Sequence, residues 1–137
     1  MKTILAATAT LAFALPAFAQ GDAEEGESEF RKCKSCHMIE SPEGETIVRG
    51  GRTGPNLYGI IGQQAGTVED FRYSNALEEA GENGLVWDEE NLAEYVADPR
   101  AFLKELGTDG RTKMTFKLRD GGDDVAAYLA TFSSEEE

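Results

Sequence analysis

The sequence predicts an all-α domain of several short helices joined by long loops, from two observations. In the last third of the chain, apolar residues recur at helical spacing, with Val125, Tyr128 and Leu129 followed by Phe132 on the same face. By contrast, the stretch from Ser41 to Pro55 holds four glycines and two prolines, a composition typical of a loop.

The first helix is predicted to begin after Asp22. This residue can cap the helix, and Glu25 three residues later completes a D-x-x-E capping box. The helix should run toward Arg31, with Gly26 in its middle. A glycine there costs about 1 kcal/mol relative to alanine, so we expect a packing reason such as a close helix contact.

Four further helices are predicted downstream. Ser74 can cap a short helix that continues through Ala80, and Asp88 can cap the next. Pro99 suits the first position of a helix that ends at Gly107. The last helix should begin at about Asp123.

Residues 1–19 have the pattern of a secretory signal peptide. Met1-Lys2 is a basic start, Ile4 to Leu15 is mostly apolar, and Ala17-Phe18-Ala19 is a cleavage site. The apolar stretch is too short to span a bilayer and no later stretch is longer, so we expect export to the periplasm and no membrane span. An uncleaved N-terminal anchor is the alternative.

The remainder is predicted to be one domain over residues 20–132, followed by an acidic tail at 133–137. The full chain has 13 basic and 26 acidic side chains, and its net charge of −13 becomes −14 without Lys2. Such acidity argues against a general nucleic-acid binder. The apolar fraction of the mature chain lies at the low edge for a globular domain, so a cofactor could supply part of the core.

The two cysteines and the one histidine occur together, as Cys33-Lys34-Ser35-Cys36-His37. C-x-x-C-H is the attachment signature of c-type haem. Two thiols three residues apart on a helical turn can each form a thioether with a porphyrin vinyl group. The imidazole of His37 then lies beneath the ring, where it can bind iron.

Other interpretations of the two cysteines are weaker. A thioredoxin-like redox pair would need a βαβ pattern, which the surrounding sequence lacks. A structural zinc site needs four ligands, whereas Cys33, Cys36 and His37 supply three. A disulfide between the two would close too small a loop to add much stability.

A second axial ligand can be sought among the methionines, because no second histidine exists. Met1 leaves with the signal peptide, and Met38 is tethered beside His37. Met114 lies in a polar segment, where a lone apolar side chain is explained if its sulfur turns inward to iron. A core-filling methionine is the alternative. A His/Met pair is the ligation of electron-carrying cytochromes c.

The chain resembles the class I cytochromes c, in particular the bacterial cytochrome c2/c550 group, over essentially all of Gly21 to Phe132. The landmarks occur in order: Gly26 and Phe30, the C-x-x-C-H motif, Thr53-Gly54-Pro55-Asn56-Leu57, Phe71-Arg72-Tyr73, Trp87, Leu92-Ala93-Glu94-Tyr95, Thr112-Lys113-Met114 and Ala127-Tyr128-Leu129. The resemblance implies a class I cytochrome c fold wrapped around one haem, covalently bound through Cys33 and Cys36.

The resemblance also implies roles for single residues. The Pro55 carbonyl would accept the second ring N–H of the ligand histidine. Tyr73 and Trp87 would hydrogen-bond a haem propionate, and Tyr95 would lie beside the methionine sulfur. Core packing is the alternative for each aromatic residue.

Gly26 and Tyr128 would lie where the first and last helices cross. The chain departs from its relatives at Gln63, where an arginine near the propionates is frequent, and at Leu77, where many have an asparagine.

The implied function is that of a soluble, monomeric, periplasmic one-electron carrier rather than an enzyme. A cytochrome bc1 complex is the implied electron donor, and a photosynthetic reaction centre, a terminal oxidase or a denitrification reductase is the acceptor. Two rivals are a haem peroxidase, which needs an open iron position, and a gas sensor of the cytochrome c′ type, whose haem motif lies near the C-terminus.

Basic residues are concentrated in two segments despite the acidic net charge. Arg31, Lys32 and Lys34 flank the haem cysteines, and six basic residues lie between Arg100 and Arg119 against two acids. We expect both segments to border one exposed haem edge and to dock on an acidic partner surface.

Overall fold

The protein is described by a computed structural model, which covers residues 7–10 and 21–133. The predicted signal peptide, apart from residues 7–10, and the tail beyond Ser133 lie outside the described residues. None of the helices in the described ranges is long and apolar enough to cross a membrane.

The described residues form five short helices joined by long loops, which confirms the predicted fold class. The helices are α1 (Ala23–Glu29), which continues into a 3₁₀ turn (Phe30–Lys32), α2 (Asn75–Glu82), α3 (Glu89–Ala97), α4 (Pro99–Glu105) and α5 (Gly122–Ala130).

The start of α1 departs from the predicted capping box in one respect. The Asp22 carboxylate accepts from the amides of Glu24 at 2.9 Å and Glu25 at 3.3 Å, as a cap should. Its own amide, however, donates to Asp124 Oδ1 on α5 at 2.8 Å. The predicted return bond from Glu25 is therefore replaced by a tertiary contact, which ties the two ends of the domain together.

The other caps follow the sequence prediction closely. Ser74 Oγ accepts from the Leu77 amide at 3.3 Å, although α2 continues two residues beyond the predicted end. Asp88 forms a reciprocal capping box with Asn91. Pro99 occupies the first turn of α4, which ends before Gly107 with φ +90°.

A small hairpin, whose second strand lies inside the predicted loop, was not predicted. Strands β1 (Ile39–Glu40) and β2 (Thr46–Val48) pair in antiparallel fashion. The Asn56 side chain holds the Glu40 backbone at both its N–H, at 3.1 Å, and its C=O, at 2.8 Å. Strands of two and three residues are too short to show apolar alternation in the sequence.

Helices α1 and α5 cross at Gly26. A Cβ atom there would overlap the Asp124 carbonyl oxygen and lie 2.8 Å from Tyr128 Cβ. Close approach of the two backbones is thus the packing reason for the glycine. Phe30 then packs against Tyr128 with ring centroids 5.7 Å apart. Helix α3 packs on both α4 and α5, and residues of α3 and α5 line a central cavity.

Candidate functional site

A largely apolar cavity of about 390 Å³ lies at the centre of the fold. This volume is in the range of small-molecule and cofactor sites. All eight site residues predicted from the sequence line it: Cys33, Cys36, His37, Pro55, Tyr73, Trp87, Tyr95 and Met114. They come from segments far apart in the chain, so the fold brings together residues that the sequence keeps separate.

The two cysteines lie on a single helical turn. The Cys36 and His37 amides both donate to the Cys33 carbonyl oxygen, at 3.1 and 3.0 Å. Both thiols are free. Because the turn directs both toward one cavity, the geometry suits two bonds to one ligand.

A glycine-rich segment supports this turn from outside. The Gly51 amide donates to the Lys34 carbonyl at 2.9 Å, and the Gly54 amide donates to the Cys36 carbonyl at 2.8 Å. Cβ atoms at Gly50 or Gly51 would overlap the carbonyl oxygens of the turn. Residues 50–54 of the predicted loop are therefore a close-fitting brace, which explains the glycines at positions 50 and 51.

The imidazole of His37 is held in one tautomer. Its Nδ1 lies 2.8 Å from the Pro55 carbonyl oxygen, which can only accept, so Nδ1 carries the hydrogen. Nε2 is then the nitrogen with a free lone pair. Burial lowers the pKa of His37, and the bond to Pro55 opposes this in part. The ring is accordingly neutral at pH 7, the form that binds a metal.

The chemistry of Cys33 argues against a redox-active thiol pair. Burial, together with the nearby Glu29 carboxylate, raises the pKa of this thiol to about 11. Redox-active cysteines have a depressed pKa because the thiolate is the nucleophile. Cys33 therefore lacks the electrostatic setting of a thioredoxin-like site.

Met114 lies half-buried in the cavity wall. Its amide donates to Thr112 Oγ1 at 3.1 Å. The Thr112 side chain also hydrogen-bonds Tyr95, whose pKa is raised by burial and lowered in part by that bond. Thr112 thus links an aromatic side chain of α3 to the backbone of Met114. Its position two residues before the methionine was visible in the sequence, but this linking role was not predicted.

Aromatic rings form one wall of the cavity. Trp87 and Tyr95 have ring centroids 5.0 Å apart, and both pack against Phe102. Tyr73 accepts a hydrogen bond from the Val68 amide at 3.2 Å, and burial raises its pKa to about 12. Its phenol is therefore a neutral donor throughout the physiological pH range.

The two departures from the resemblance lie in different places. Leu77 lines the cavity, so an apolar side chain occupies the wall there. Gln63 is not among the lining residues, and its side chain lies near Gly59 instead.

Gly54 was missed as a site residue. A Cβ atom at this position would overlap His37 Cε1 and lie 2.7 Å from Nδ1. Only glycine allows the backbone to approach the face of the ring so closely. Its place in Thr53-Gly54-Pro55, a quoted landmark, was the available signal.

The donor set of the cavity fits a c-type haem. Two thiols, a neutral imidazole and a thioether sulfur line one apolar space, and these are the groups that bind such a haem. A cluster of three or more His, Cys, Asp and Glu side chains placed to hold a metal ion does not occur among residues 7–10 and 21–133.

Comparison with known proteins gives strong similarity over nearly the whole chain. Cytochrome c-551 of Roseobacter denitrificans is 58% identical over 136 residues, covering 97% of each chain. Cytochrome c2 of Rhodobacter capsulatus is 54% identical, covering 92% of this chain and 93% of that protein. No family model matches.

Solved structures show the same fold. The structure of Rhodobacter capsulatus cytochrome c2 has a TM-score of 0.79 at 54% identity, covering 81% of this chain and 97% of the other. Ferric cytochrome c-550 from Paracoccus versutus has a TM-score of 0.80 at 49% identity, covering 83% of this chain and 99% of the other.

Proposed function

This chain belongs to the bacterial cytochrome c2 group of class I c-type cytochromes, and we propose that it is a periplasmic one-electron carrier with His37 and Met114 as axial ligands. Its cofactor is a c-type haem, as in its relatives. When bound, the haem supplies an iron that alternates between the ferric and ferrous states. The protein supplies the ligands, a dry pocket and a docking surface.

Cys33 and Cys36 are proposed to anchor the haem. Each thiol adds across one vinyl group, so that sulfur bonds to one carbon and the thiol proton is transferred to the other. The helical turn and its glycine brace place both cysteines at the same cavity. The imidazole that follows Cys36 on the same turn lines that cavity with them.

The single observation that carries the proposal is that His37 and Met114 line the same cavity. With both as ligands, iron has no open position for a substrate or a gas. That arrangement suits electron transfer, whereas a peroxidase or gas sensor needs a free site. The hydrogen bond to Pro55 makes the imidazole a stronger donor, and the thioether favours the ferrous state.

We propose membrane redox complexes as partners, with a cytochrome bc1 complex as donor and a reaction centre, oxidase or denitrification reductase as acceptor. The charged residues that line the cavity support docking on an acidic surface, because both of them, Lys32 and Lys113, are basic. The structure adds two exposed cations that sequence reasoning did not include, Arg49 and Arg52, on the segment that braces the haem-binding turn.

Carbon monoxide binding tests the closed site. The ferrous protein should show no carbon monoxide spectrum at neutral pH, because the Met114 sulfur occupies the sixth position. Met114→Ala should bind the gas readily, since it removes the competing ligand. Met38→Leu, a matched change at the other methionine of the mature chain, should behave as wild type. Tight binding by the wild-type protein would indicate a sensor or an enzyme.

A further inference from the structure

We propose that Asn83 is a site of spontaneous modification, at which the side-chain amide is lost as ammonia and replaced by a carboxylate. The site is the exposed turn that Asn83 and Gly84 form at the end of α2. The modification is separate from electron transfer and does not depend on how iron is bound. It makes the folded protein more acidic at one defined position as each molecule ages.

The reaction needs only water as a co-reactant. The backbone nitrogen of Gly84 bonds to the side-chain carbonyl carbon of Asn83. The bond from that carbon to the side-chain nitrogen breaks, and ammonia leaves with the proton of the backbone amide. Water then opens the resulting cyclic imide at either of its carbonyl carbons, which leaves aspartate or isoaspartate at position 83. No electrons are transferred, so no oxidant or reductant is required.

Both reacting groups are accessible in the structure. Asn83 is exposed, and its side chain forms no hydrogen bond within the part of the chain that the structure describes. Gly84 is exposed as well, and a Cβ atom added there would meet no heavy atom of the described residues within 4 Å. Its φ of +109° favours glycine. Because glycine has no Cβ, its nitrogen can approach the asparagine side chain without a clash.

The last turn of α2 determines how often the two groups can meet. The Asn83 amide donates to the Glu79 carbonyl oxygen at 2.9 Å. The Gly84 amide, which carries the attacking nitrogen, donates to the Gly81 carbonyl oxygen at 3.0 Å. This second bond must break before the nitrogen can react. Since the ends of helices open locally at little cost in free energy, we expect the reaction to proceed from a frayed turn rather than from the unfolded chain.

The other asparagines of the chain lack this combination of features. Asn56 and Asn91 each donate a side-chain hydrogen bond to a backbone carbonyl oxygen at 2.8 Å. Asn75 is exposed, but the residue after it is Ala76, which has a Cβ and is buried. Asn83 is thus the one asparagine that is followed by glycine and whose amide is free to react.

The new carboxylate should weaken the turn in which it forms. It lies at the C-terminal end of α2, where the helix dipole is negative, and four residues after Glu79. Leu77, which lines the cavity, belongs to the first half of the same helix. We therefore expect the loosening to be confined to the last turn and the cavity wall to keep its structure.

Peptide mass spectrometry of the holoprotein, held in mildly alkaline buffer, tests the site. The tryptic peptide 73–100 contains Asn75, Asn83 and Asn91, so a single fragment compares all three. Asn83 should gain about 1 Da at least about tenfold faster than Asn75 or Asn91. A gain at Asn83 that is no faster than at the other two would overturn the proposal. So would a gain that is already complete in samples digested at zero time, because digestion would then be its cause.

Asn83→Gln and Asn75→Gln form a matched pair of variants. Glutamine keeps the amide, but its additional methylene group makes ring closure slower. On ion exchange, intact wild-type and Asn75→Gln holoproteins should both develop a more acidic form during incubation, whereas Asn83→Gln should not. Formation of the acidic species by Asn83→Gln at the wild-type rate would exclude position 83 as its source.

Hydrogen exchange tests the opening step. Denaturant frees the turn, so the fold should slow modification of Asn83 by the same factor, within about threefold, by which it slows exchange of the Gly84 amide. The Val125 amide in α5, which donates to the Gly121 carbonyl oxygen, serves as the reference for the core. Modification that is slowed as strongly as exchange at Val125 would mean that the whole domain must unfold first, contrary to the local mechanism.

Asn83→Asp isolates the effect of the new charge, because it adds the carboxylate without the longer backbone of isoaspartate. Protection of the Gly84 amide from exchange should fall about two- to fivefold. The Leu77 amide, which donates to Ser74 at the start of the helix, should keep its wild-type protection. Wild-type protection at Gly84 in this variant would contradict the predicted weakening of the turn.

Discussion

The imidazole of His37 is constrained by neighbours whose roles differ. The Pro55 carbonyl fixes the tautomer, and the backbone at Gly54 lies directly against the face of the ring. The Cys33–Cys36 turn sets the direction of the imidazole. The motif and Pro55 could be predicted from the sequence, the latter through the resemblance. The part played by Gly54 could not, because it depends on a distance between backbone and ring that only the folded chain defines.

Covalent attachment is the prediction that belongs to the two thiols. Protein denatured in hot acid and run on a gel should retain its haem, because thioether bonds survive unfolding. The double variant Cys33→Ala/Cys36→Ala should lose it under the same conditions, since only non-covalent contacts remain. Extraction of the haem from wild-type protein by acidified organic solvent would show that the thiols do not hold it.

At the scale of elements, the crossing of α1 and α5 holds the two ends of the domain together. Gly26 permits the backbone approach, and the Asp22 amide bonds to Asp124 Oδ1 across the same contact. The sequence indicated a need for glycine but not the bond to Asp124. A capping box is a local pattern. Here the Asp22 amide bonds to Asp124, 102 residues away, instead of to the Glu25 side chain.

Substitution of Gly26 tests this crossing. Gly26→Ala should lower the free energy of unfolding by about 2 kcal/mol or more, since the new methyl group overlaps backbone that cannot move independently. Denaturant unfolding of the holoprotein measures it. Ser28→Ala, at an exposed position of the same helix, should change stability by less than about 0.5 kcal/mol. A Gly26→Ala protein as stable as wild type would mean that the helices separate at little cost.

An element of the fold can be predicted from the sequence when it is long enough to show a cap and apolar residues at regular spacing. Helices α2 to α4 have side-chain caps, and α2 to α5 have apolar residues at helical spacing over seven to nine residues, so their positions were predicted within a few residues. The hairpin of β1 and β2 gave no such signal. The cavity brings together landmarks from loops and helices far apart in the chain, and only the resemblance, not local pattern, connected them in advance.

At the scale of the whole molecule, the net charge is negative, but the basic residues are not spread evenly over the chain. The net charge is −13, yet the charged residues in the cavity wall are basic, and Arg49 and Arg52 lie beside the haem-binding turn. Of the nine residues of the predicted basic face, only Lys32 and Lys113 line the cavity. Lys104 on α4 packs against Gly110 and does not line the cavity. Sequence position alone had grouped it with Lys113.

Electron transfer to a membrane partner should therefore slow as salt rises. The Debye length shrinks from about 30 Å at 0.01 M to about 10 Å at 0.1 M, which weakens steering by the basic rim. At low salt, Lys113→Glu, at a basic residue that lines the cavity, should reduce the second-order rate about three- to tenfold. Lys104→Glu makes the same charge change away from the rim and should have less than about a twofold effect. A rate that rises with salt would show that net repulsion governs docking.

The reduction potential of Met114→His tests most directly the central claim that His37 and Met114 together make this protein an electron carrier. A thioether favours ferrous iron more than an imidazole does, so the variant should keep six-coordinate iron and have a potential lower by on the order of 0.1 V or more. Met38→Leu should keep the wild-type potential. If Met114→His titrates at the wild-type potential, Met114 is not the ligand and the account is contradicted.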